Sequence, residues 1–599
     1  MMRMAPRTVY SMLEESVAAY GDAAALHQPR SGKYESYTWP EYRDAVREIA
    51  VGLHESGIGK GDVVVLGSET RVEFYLADIG VMSSGATSAS IYTSSLAADQ
   101  VKTLAACGAK MAMLENPKYW KSLVEAGGAQ LNLKWVLLTG SLDGVTTLAD
   151  IRHAGREAMR RDSGLFDRIQ TKYSPRDTAI LYLTSGATGE PKMVEVSHQA
   201  LTMNCDMGPS CIDIGPADCT LAFLPSAHIA QRVAIEMLTL RMGVPVWFSE
   251  SLARMPTEFK TVRPTFFLAP PRVWERIYAS VSTEIRKRSA IQQRVFWLAL
   301  GIGSEAAKYR RAGKPIPVWL QRALQFADKL VFNKIRERFG GRLRVAISGA
   351  APLSKQLGEF YEAINMPLME GYGLTEGGIV SLNPANATRL GSIGKPLPGV
   401  EFRLGEDKEL LIHSPTLATG YFKDPDASAQ VFIDGWLHTG DLGEIDSEGY
   451  VYITGRKKEM IVSSSGKKVY PNRVEGLFKT EPLISQMILL GDKQPFVTAL
   501  FTVNVASATT LKGMEGMASK SAEEIVNAPP VIAEVKRAVA KANKQLAPFE
   551  QIRKFRILDR DFSQDAGELT PTMKVRRVKV IENFRNHIIE MYAGKEENV

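Results

Sequence analysis

Tyr182-Leu-Thr-Ser-Gly-Ala-Thr-Gly-Glu-Pro-Lys192 follows a strand-like run, Asp177-Thr-Ala-Ile-Leu-Tyr-Leu183, and ends in a lysine. Gly186 and Gly189 let the backbone turn with its N–H groups directed inward. Thr184, Ser185 and Thr188 add hydroxyl donors, and Lys192 adds a mobile positive charge. That combination suits a polyphosphate. The spacing is not that of a Walker A loop, because no Gly-Lys-Ser/Thr follows and Pro191 precedes the lysine. On loop chemistry alone, a plain turn between two elements explains the stretch equally well.

The loop sits in an alternation of helical and strand-like segments. Helix candidates at 39–56 and 71–84 flank a strand at 62–66, and further strands are expected at 135–138, 220–224, 244–248 and 343–348. Strands separated by helices imply an α/β fold with mixed or parallel sheets, whose ligands gather at the carboxyl ends of the strands. Beyond about residue 395, short strands and Gly/Asp/Pro turns predict a β-rich subdomain. From 457 onward a small α+β unit is expected, with a helix at 531–544. The division is therefore a large domain at 1–456 and a small C-terminal domain at 457–599.

With 599 residues, 45% hydrophobic and 23% charged, the composition is that of an ordinary globular protein able to bury large cores. No apolar run approaches the ~20 residues of a bilayer-spanning helix, and the basic N-terminus lacks the apolar segment of a secretory signal. Cys107, Cys205, Cys211 and Cys219 have neither disulfide-framework nor zinc spacing, so reduced thiols and a cytoplasmic location are expected.

The net charge of +7 is concentrated. Residues 281–340 hold thirteen Lys or Arg against four acids. Val281, Ile285, Ile291, Val295, Leu298 and Ile302 recur there at helical spacing. A basic amphipathic helix can lie on an anionic membrane face; a helix packed on its domain with a solvated basic side fits the same pattern. Nucleic acid is not expected, since no binding module is present and the aromatics are not interleaved as stacking platforms.

Five further segments accompany the loop: Ser348-Gly-Ala-Ala-Pro-Leu353, Glu370-Gly-Tyr-Gly-Leu-Thr-Glu376, Gly435-Trp-Leu-His-Thr-Gly-Asp441, Thr454-Gly-Arg-Lys-Lys-Glu459 leading to Ser463-Ser-Ser-Gly466, and Pro571-Thr-Met-Lys574. Together and in this order they resemble the adenylate-forming acyl- and aryl-CoA synthetase superfamily over nearly the whole chain. The segment before the 343–348 strand, and Glu568-Leu-Thr-Pro-Thr-Met-Lys-Val-Arg576, are similar to the long-chain fatty acyl-CoA synthetases.

The resemblance implies ATP-dependent activation of a medium- to long-chain fatty acid to acyl-AMP, then transfer to CoA, with Mg2+. Thr184, Ser185, Gly186, Thr188, Gly189 and Lys192 would hold the β- and γ-phosphates, and Glu376 with Thr184 the metal. Gly349, Ala350, Ala351, Tyr372, Gly373 and Thr375 would surround the adenine side. Asp441 would accept the ribose hydroxyls and Arg456 would lie beside ribose and phosphate. Lys574 would bridge acyl carboxylate and α-phosphate, and His228 would stand at the acyl pocket. By the same resemblance the small domain is mobile about Lys458, carrying the turn at Gly466 over the CoA tunnel. A long acyl chain agrees with peripheral contact of the basic insert at the inner membrane face.

The sequence departs from the family pattern at Ala187, Met193, Gly377 and Gln231, which puts rate and substrate preference in doubt. A fatty acyl-AMP ligase serving a carrier protein, a CoA ligase for a bulky ring acid, and a non-catalytic nucleotide- or lipid-binding homologue remain alternatives. Oligomeric state has no signature in the sequence.

Overall fold

The computed structural model describes residues 5–184, 192–570 and 573–593, with only the backbone of Thr184 and Ala518. Val63–Gly67, Thr87–Ser90, Ala109–Leu114 and Lys134–Leu137 run parallel in an eight-stranded sheet, where Thr178–Thr184 joins Thr87–Ser90. Lys192–Ser197 and Gly420–Tyr421 close that edge antiparallel. Every residue of Val63–Gly67 is buried, which explains its unbroken apolar run.

A nine-stranded sheet has a parallel centre of Val246–Phe248, Thr220–Ala222, Phe266–Ala269, Val345–Ser348 and Leu368–Leu374. Val64 of the first sheet and Phe266 of the second belong to one core. The helix Val72–Ser83 lies in that core with all twelve residues buried. Its Asp78 receives Arg232 Nε at 3.1 Å, and Arg232 Nη2 also reaches Ser88 Oγ at 3.0 Å. Arg232 opens a π-helical turn, Arg232–Met237, and on the same turn burial, then the Asp78 charge, raises the Glu236 carboxyl well above the ordinary carboxylate range.

On the outside, Trp39–Glu55 begins with a capping box between Thr38 and Glu41. It crosses Leu148–Arg161 closely: a Cβ on Gly155 would lie 1.9 Å from Glu48 O, and one on Gly52 2.0 Å from Ile151 O. The absence of side chains at these two positions sets the helix spacing.

Residues beyond 395 build a five-stranded antiparallel sheet around Trp436–Ile445. Further on, Ile484–Leu490, Val497–Val503 and Ile552–Ile557 form a three-stranded sheet covered by the helix Pro529–Asn543, with a separate core including Phe478, Phe501, Val535 and Val539. This is the α/β architecture expected.

The basic insert differs from expectation. Residues 281–302 are two helices, Pro271–Arg286 and Ala290–Arg311, because Ser289 caps a new start with Gln292 as its capping-box partner. The break turns the predicted stripe: Val281 is buried, whereas Ile291, Val295 and Leu298 face solvent. Inward contact is made instead by Phe296, Ala299, Gly303 and Ala306.

Candidate active site

Thr184 and Lys192 are register partners at the mouth of the Thr178–Thr184/Lys192–Ser197 hairpin. The intervening loop, with the candidates Ser185, Gly186, Thr188 and Gly189, lies outside the described residues, as does the side chain of Thr184. Lys192 Nζ stands 4.5 Å from the centre of the Tyr421 ring. Tyr421, on the strand next to Lys192–Ser197, donates its hydroxyl to Glu376 Oε1 at 2.8 Å. One tyrosine thus connects the cation at the loop exit to the candidate metal carboxylate.

Glu376 occupies the turn joining Leu368–Leu374 to Gly378–Leu382, together with Thr375, while Gly373 lies in the strand before it, paired with Ile379. Gly378 has φ of 76°, and a Cβ there would be 2.8 Å from Asn204 Oδ1. The absent side chain lets Asn204 clasp Ile379, accepting from its N–H at 2.9 Å and donating to its carbonyl at 2.7 Å.

Tyr372 lies four residues before Glu376, so a second cluster adjoins the first. Its hydroxyl donates to Asp441 Oδ2 at 2.5 Å, while Arg456 Nε donates to Asp441 Oδ1 at 2.8 Å. Asp441 and Arg456 are cross-strand partners, which places them opposite each other. The Asp441 charge raises the Arg456 pKa further; burial, then Asp441, raises that of Tyr372.

Gly349, Ala350 and Ala351 follow the strand Val345–Ser348, and Ala350 has a left-handed backbone with φ of 68°. A Cβ on Gly349 would lie 3.5 Å from Gly371 O, in van der Waals contact with the neighbouring strand. Beneath them Glu370 Oε1 accepts from Leu353 N–H at 3.0 Å, and burial pushes the Glu370 carboxyl up to about 8.

His228 caps the helical run that continues into the Arg232–Met237 turn, with Nδ1 accepting from Ala230 N–H at 3.1 Å. Burial, then the Lys574 charge, pushes the ring down to about 4. A neutral ring whose Nδ1 accepts must carry its proton on Nε2, leaving one donor to offer.

Lys574 reaches this cluster from near the C-terminal end. Its N–H donates to Thr570 Oγ1 at 3.0 Å and its carbonyl accepts from Thr570 N–H at 2.8 Å, closing a tight turn. Arg272 Nη1 donates to Met573 O at 3.2 Å and ties that turn to the helix Pro271–Arg286. Lys574 is an exposed residue whose ammonium lies within electrostatic reach of Arg456, Asp441, Glu459 and His228. Desolvation and then Arg456 lower its pKa against the opposing pull of Asp441 and Glu459.

The structure therefore gathers Lys574, His228, Arg456, Asp441 and Tyr372, with Glu376 and Lys192 adjoining. Gly466, with φ of 76°, sits in the hairpin between Ile461–Val462 and Lys468–Val469; among the described residues no hydrogen bond or ion pair joins its turn to Lys574, Asp441 or His228. Three cations, Lys574, Arg456 and Lys192, lie among the carboxylates Asp441, Glu459 and Glu376, a set that can hold a polyanion together with a divalent cation. Among the described residues no group of three His, Cys, Asp or Glu could cage a metal. A single carboxylate such as Glu376 fits Mg2+, which takes much of its coordination from phosphates and water. Tyr421, Arg272 and Glu370 were not among the sequence candidates; Tyr421 and Arg272 lie outside the motifs, and Glu370 opens one of them without having been given a role.

A family model described as AMP-binding enzyme matches residues 13–422, and one described as AMP-binding enzyme C-terminal domain matches residues 458–596. The chain belongs to the AMP-binding enzymes. A relative from Mycobacterium bovis, the long-chain-fatty-acid–CoA ligase FadD15, is 35% identical over 569 residues, covering 94% of this chain and 93% of the relative. The long-chain-fatty-acid–CoA ligase ACSBG2 of Xenopus laevis is 28% identical over 626 residues, covering 98% and 84%. The adenylation domain of a carboxylate reductase from Mycobacterium chelonae superposes with a TM-score of 0.75 at 21% identity, covering 98% of this chain and 91% of that one. An anthranilate CoA ligase bound to anthranoyl-AMP gives 0.74 at 18%, covering 98% and 99%. These structures share the fold of this AMP-binding enzyme.

Proposed function

We propose that the protein activates a medium- to long-chain fatty acid with ATP and transfers the acyl group to CoA. The observation that carries this reading is the approach of Lys574 to His228, Arg456 and Asp441 across the cleft. The names of the relatives support the substrate.

In the first step a carboxylate oxygen attacks the α-phosphorus, the P–O bond to pyrophosphate breaks, and acyl-AMP forms. Two anions must meet, so preorganised positive charge supplies the main stabilisation. Lys574 would lie between carboxylate and α-phosphate, Arg456 beside the ribose and phosphate, and the Nε2–H of neutral His228 would hold a carboxylate oxygen. Asp441 would exchange its present donors for ribose hydroxyls, with Tyr372 against adenine. The hairpin loop with Lys192 would grip the β- and γ-phosphates. Glu376 and Thr184 would hold Mg2+, which when bound neutralises phosphate charge.

In the second step the CoA thiolate attacks the acyl carbonyl and the acyl–phosphate bond breaks, releasing AMP. We assign residues 457–599 to a small mobile domain turning about Lys458, which withdraws Lys574 and brings the turn at Gly466 toward the pantetheine. A cytoplasmic enzyme in peripheral contact with the inner membrane face completes the reading.

Lys574→Ala tests it. Pyrophosphate exchange with a fatty acid should be abolished, while thioester formation from supplied acyl-AMP and CoA should persist. Survival of both half-reactions would remove Lys574 from its role. Absence of exchange by the unaltered protein with any fatty acid would overturn the function.

A further inference from the structure

Ala290–Arg311 and Val318–Ala327 pack side by side with their inward residues in one core: Phe296 and Ala299 from the first, Ala327 and the following Phe332 from the second. Each helix leaves large apolar side chains exposed away from that core. On the first helix, Ile291 is 73% and Leu298 69% exposed, with Val295 and Trp297 between them. On the second, Trp319 is 66% and Phe326 70% exposed, and Leu330 continues the row in the next turn. Isolated exposed apolar residues are commonplace, but this many on two adjoining helices call for a partner.

Charge indicates which partner. Lys287, Arg288, Arg294, Arg322 and Lys329 are exposed around these rows, and among the described residues none is ion-paired with a carboxylate. Of the four acids in residues 281–340, Glu284 pairs with Arg338, Glu305 with Lys308 and Asp328 with Arg336, while Glu337 accepts from Asn333. The surface is thus apolar with an uncompensated basic surround. Trp319, Arg322, Phe326 and Leu330 stand at i, i+3, i+7 and i+11, so an arginine lies within the apolar row. Its stem can follow the apolar surface while its guanidinium reaches phosphate, and tryptophan favours the same interfacial depth. Among the described residues no helix is long and apolar enough to cross a membrane.

We propose that this two-helix face seats on an anionic phospholipid bilayer, with Ile291, Trp297, Leu298, Trp319 and Phe326 entering the interface and Arg294, Arg322 and Lys329 meeting lipid phosphates. The proposal deepens the fatty-acid reading, on which its purpose rests, since such an acid partitions into bilayers. Binding itself needs neither ATP nor acid and is measured without them.

The test is co-sedimentation of the full-length protein with phosphatidylcholine vesicles, with and without phosphatidylglycerol. Binding to the anionic vesicles is expected, weakening with salt. W319S/F326S should lower it about tenfold or more, and R294Q/R322Q/K329Q should remove the preference for anionic lipid. Thermal melting should match the parent, as these side chains are exposed. Pyrophosphate exchange with a water-soluble acid should be unchanged in both variants. Brominated lipid should quench part of the protein's tryptophan fluorescence, and a smaller fraction of it in W297F/W319F. No vesicle binding, equal binding to neutral vesicles, or binding indifferent to both variants would overturn the proposal. So would a W319S/F326S variant that leaves vesicle binding intact but lowers the mass in solution, because the face would then join copies of the chain. Failure of fatty-acid exchange with vesicle binding retained would fault the substrate reading alone.

Discussion

Glu370 shows how one buried group records both fold and site. Its carboxyl has no cation beside it; burial raises it from 4.5 to about 8, and one bond from Leu353 N–H only partly offsets that. Below 4.5 both folded and unfolded chains hold the proton, and the contribution to stability is complete. Between 4.5 and 8 the unfolded chain ionises while the folded one does not, so stability falls as pH rises. Glu370→Gln cannot ionise and keeps an acceptor for Leu353. Urea melts at several pH values should show the parent losing stability across that window relative to the variant; parallel curves would mean that the carboxyl is not held neutral. Asp441 and Arg456 were legible as residues because their motifs are fixed, but their pairing across adjacent strands was not. Tyr421 was not legible at all, since its tie to Glu376 comes from a strand meeting the hairpin from more than two hundred residues away.

Elements were legible where periodicity and caps agreed. The helix predicted at 39–56 is Trp39–Glu55, and the strand predicted at 62–66 is Val63–Gly67. The insert misled because one hydrophobic period ran across two helices, and the cap at Ser289 reset the face. Hidden from periodicity, too, is the reason Gly52 and Gly155 occur inside helices, where glycine costs ~1 kcal/mol against alanine. Each stands against the backbone of the other helix. Gly155→Ala would put a methyl 1.9 Å from Glu48 O, and backbone cannot rotate away as a side chain can. The intrinsic gain of alanine should be outweighed, with a net loss of ~1–3 kcal/mol as in other overpacked sites. Denaturant unfolding measures it; a stabilised variant would show that the helices separate freely.

At the scale of the molecule, the C-terminal residues have their own core, and among the described residues several polar contacts join them to the rest in addition to Lys574. Thr480 Oγ1 donates to Gln356 at 2.8 Å, Lys479 lies 3.6 Å from Glu275, and Thr283 and Ser507 hydroxyls are 3.3 Å apart. The domain motion proposed above requires contacts of this kind to break and re-form. Arg272 is the contact nearest the chemistry, because the carbonyl it holds belongs to Met573, next to Lys574. Its guanidinium is largely desolvated and repelled by Arg276, so its bond to Met573 partly offsets a real cost. Removing a charged hydrogen bond of this kind costs ~1.5–3 kcal/mol. If it stabilises only the arrangement with Lys574 in the cleft, Arg272→Ala should slow pyrophosphate exchange by about tenfold or more and leave thioester formation from supplied acyl-AMP unaffected or faster. An equal fall in both half-reactions would show that Arg272 supports the fold generally. Loss confined to thioester formation would assign it to the other arrangement.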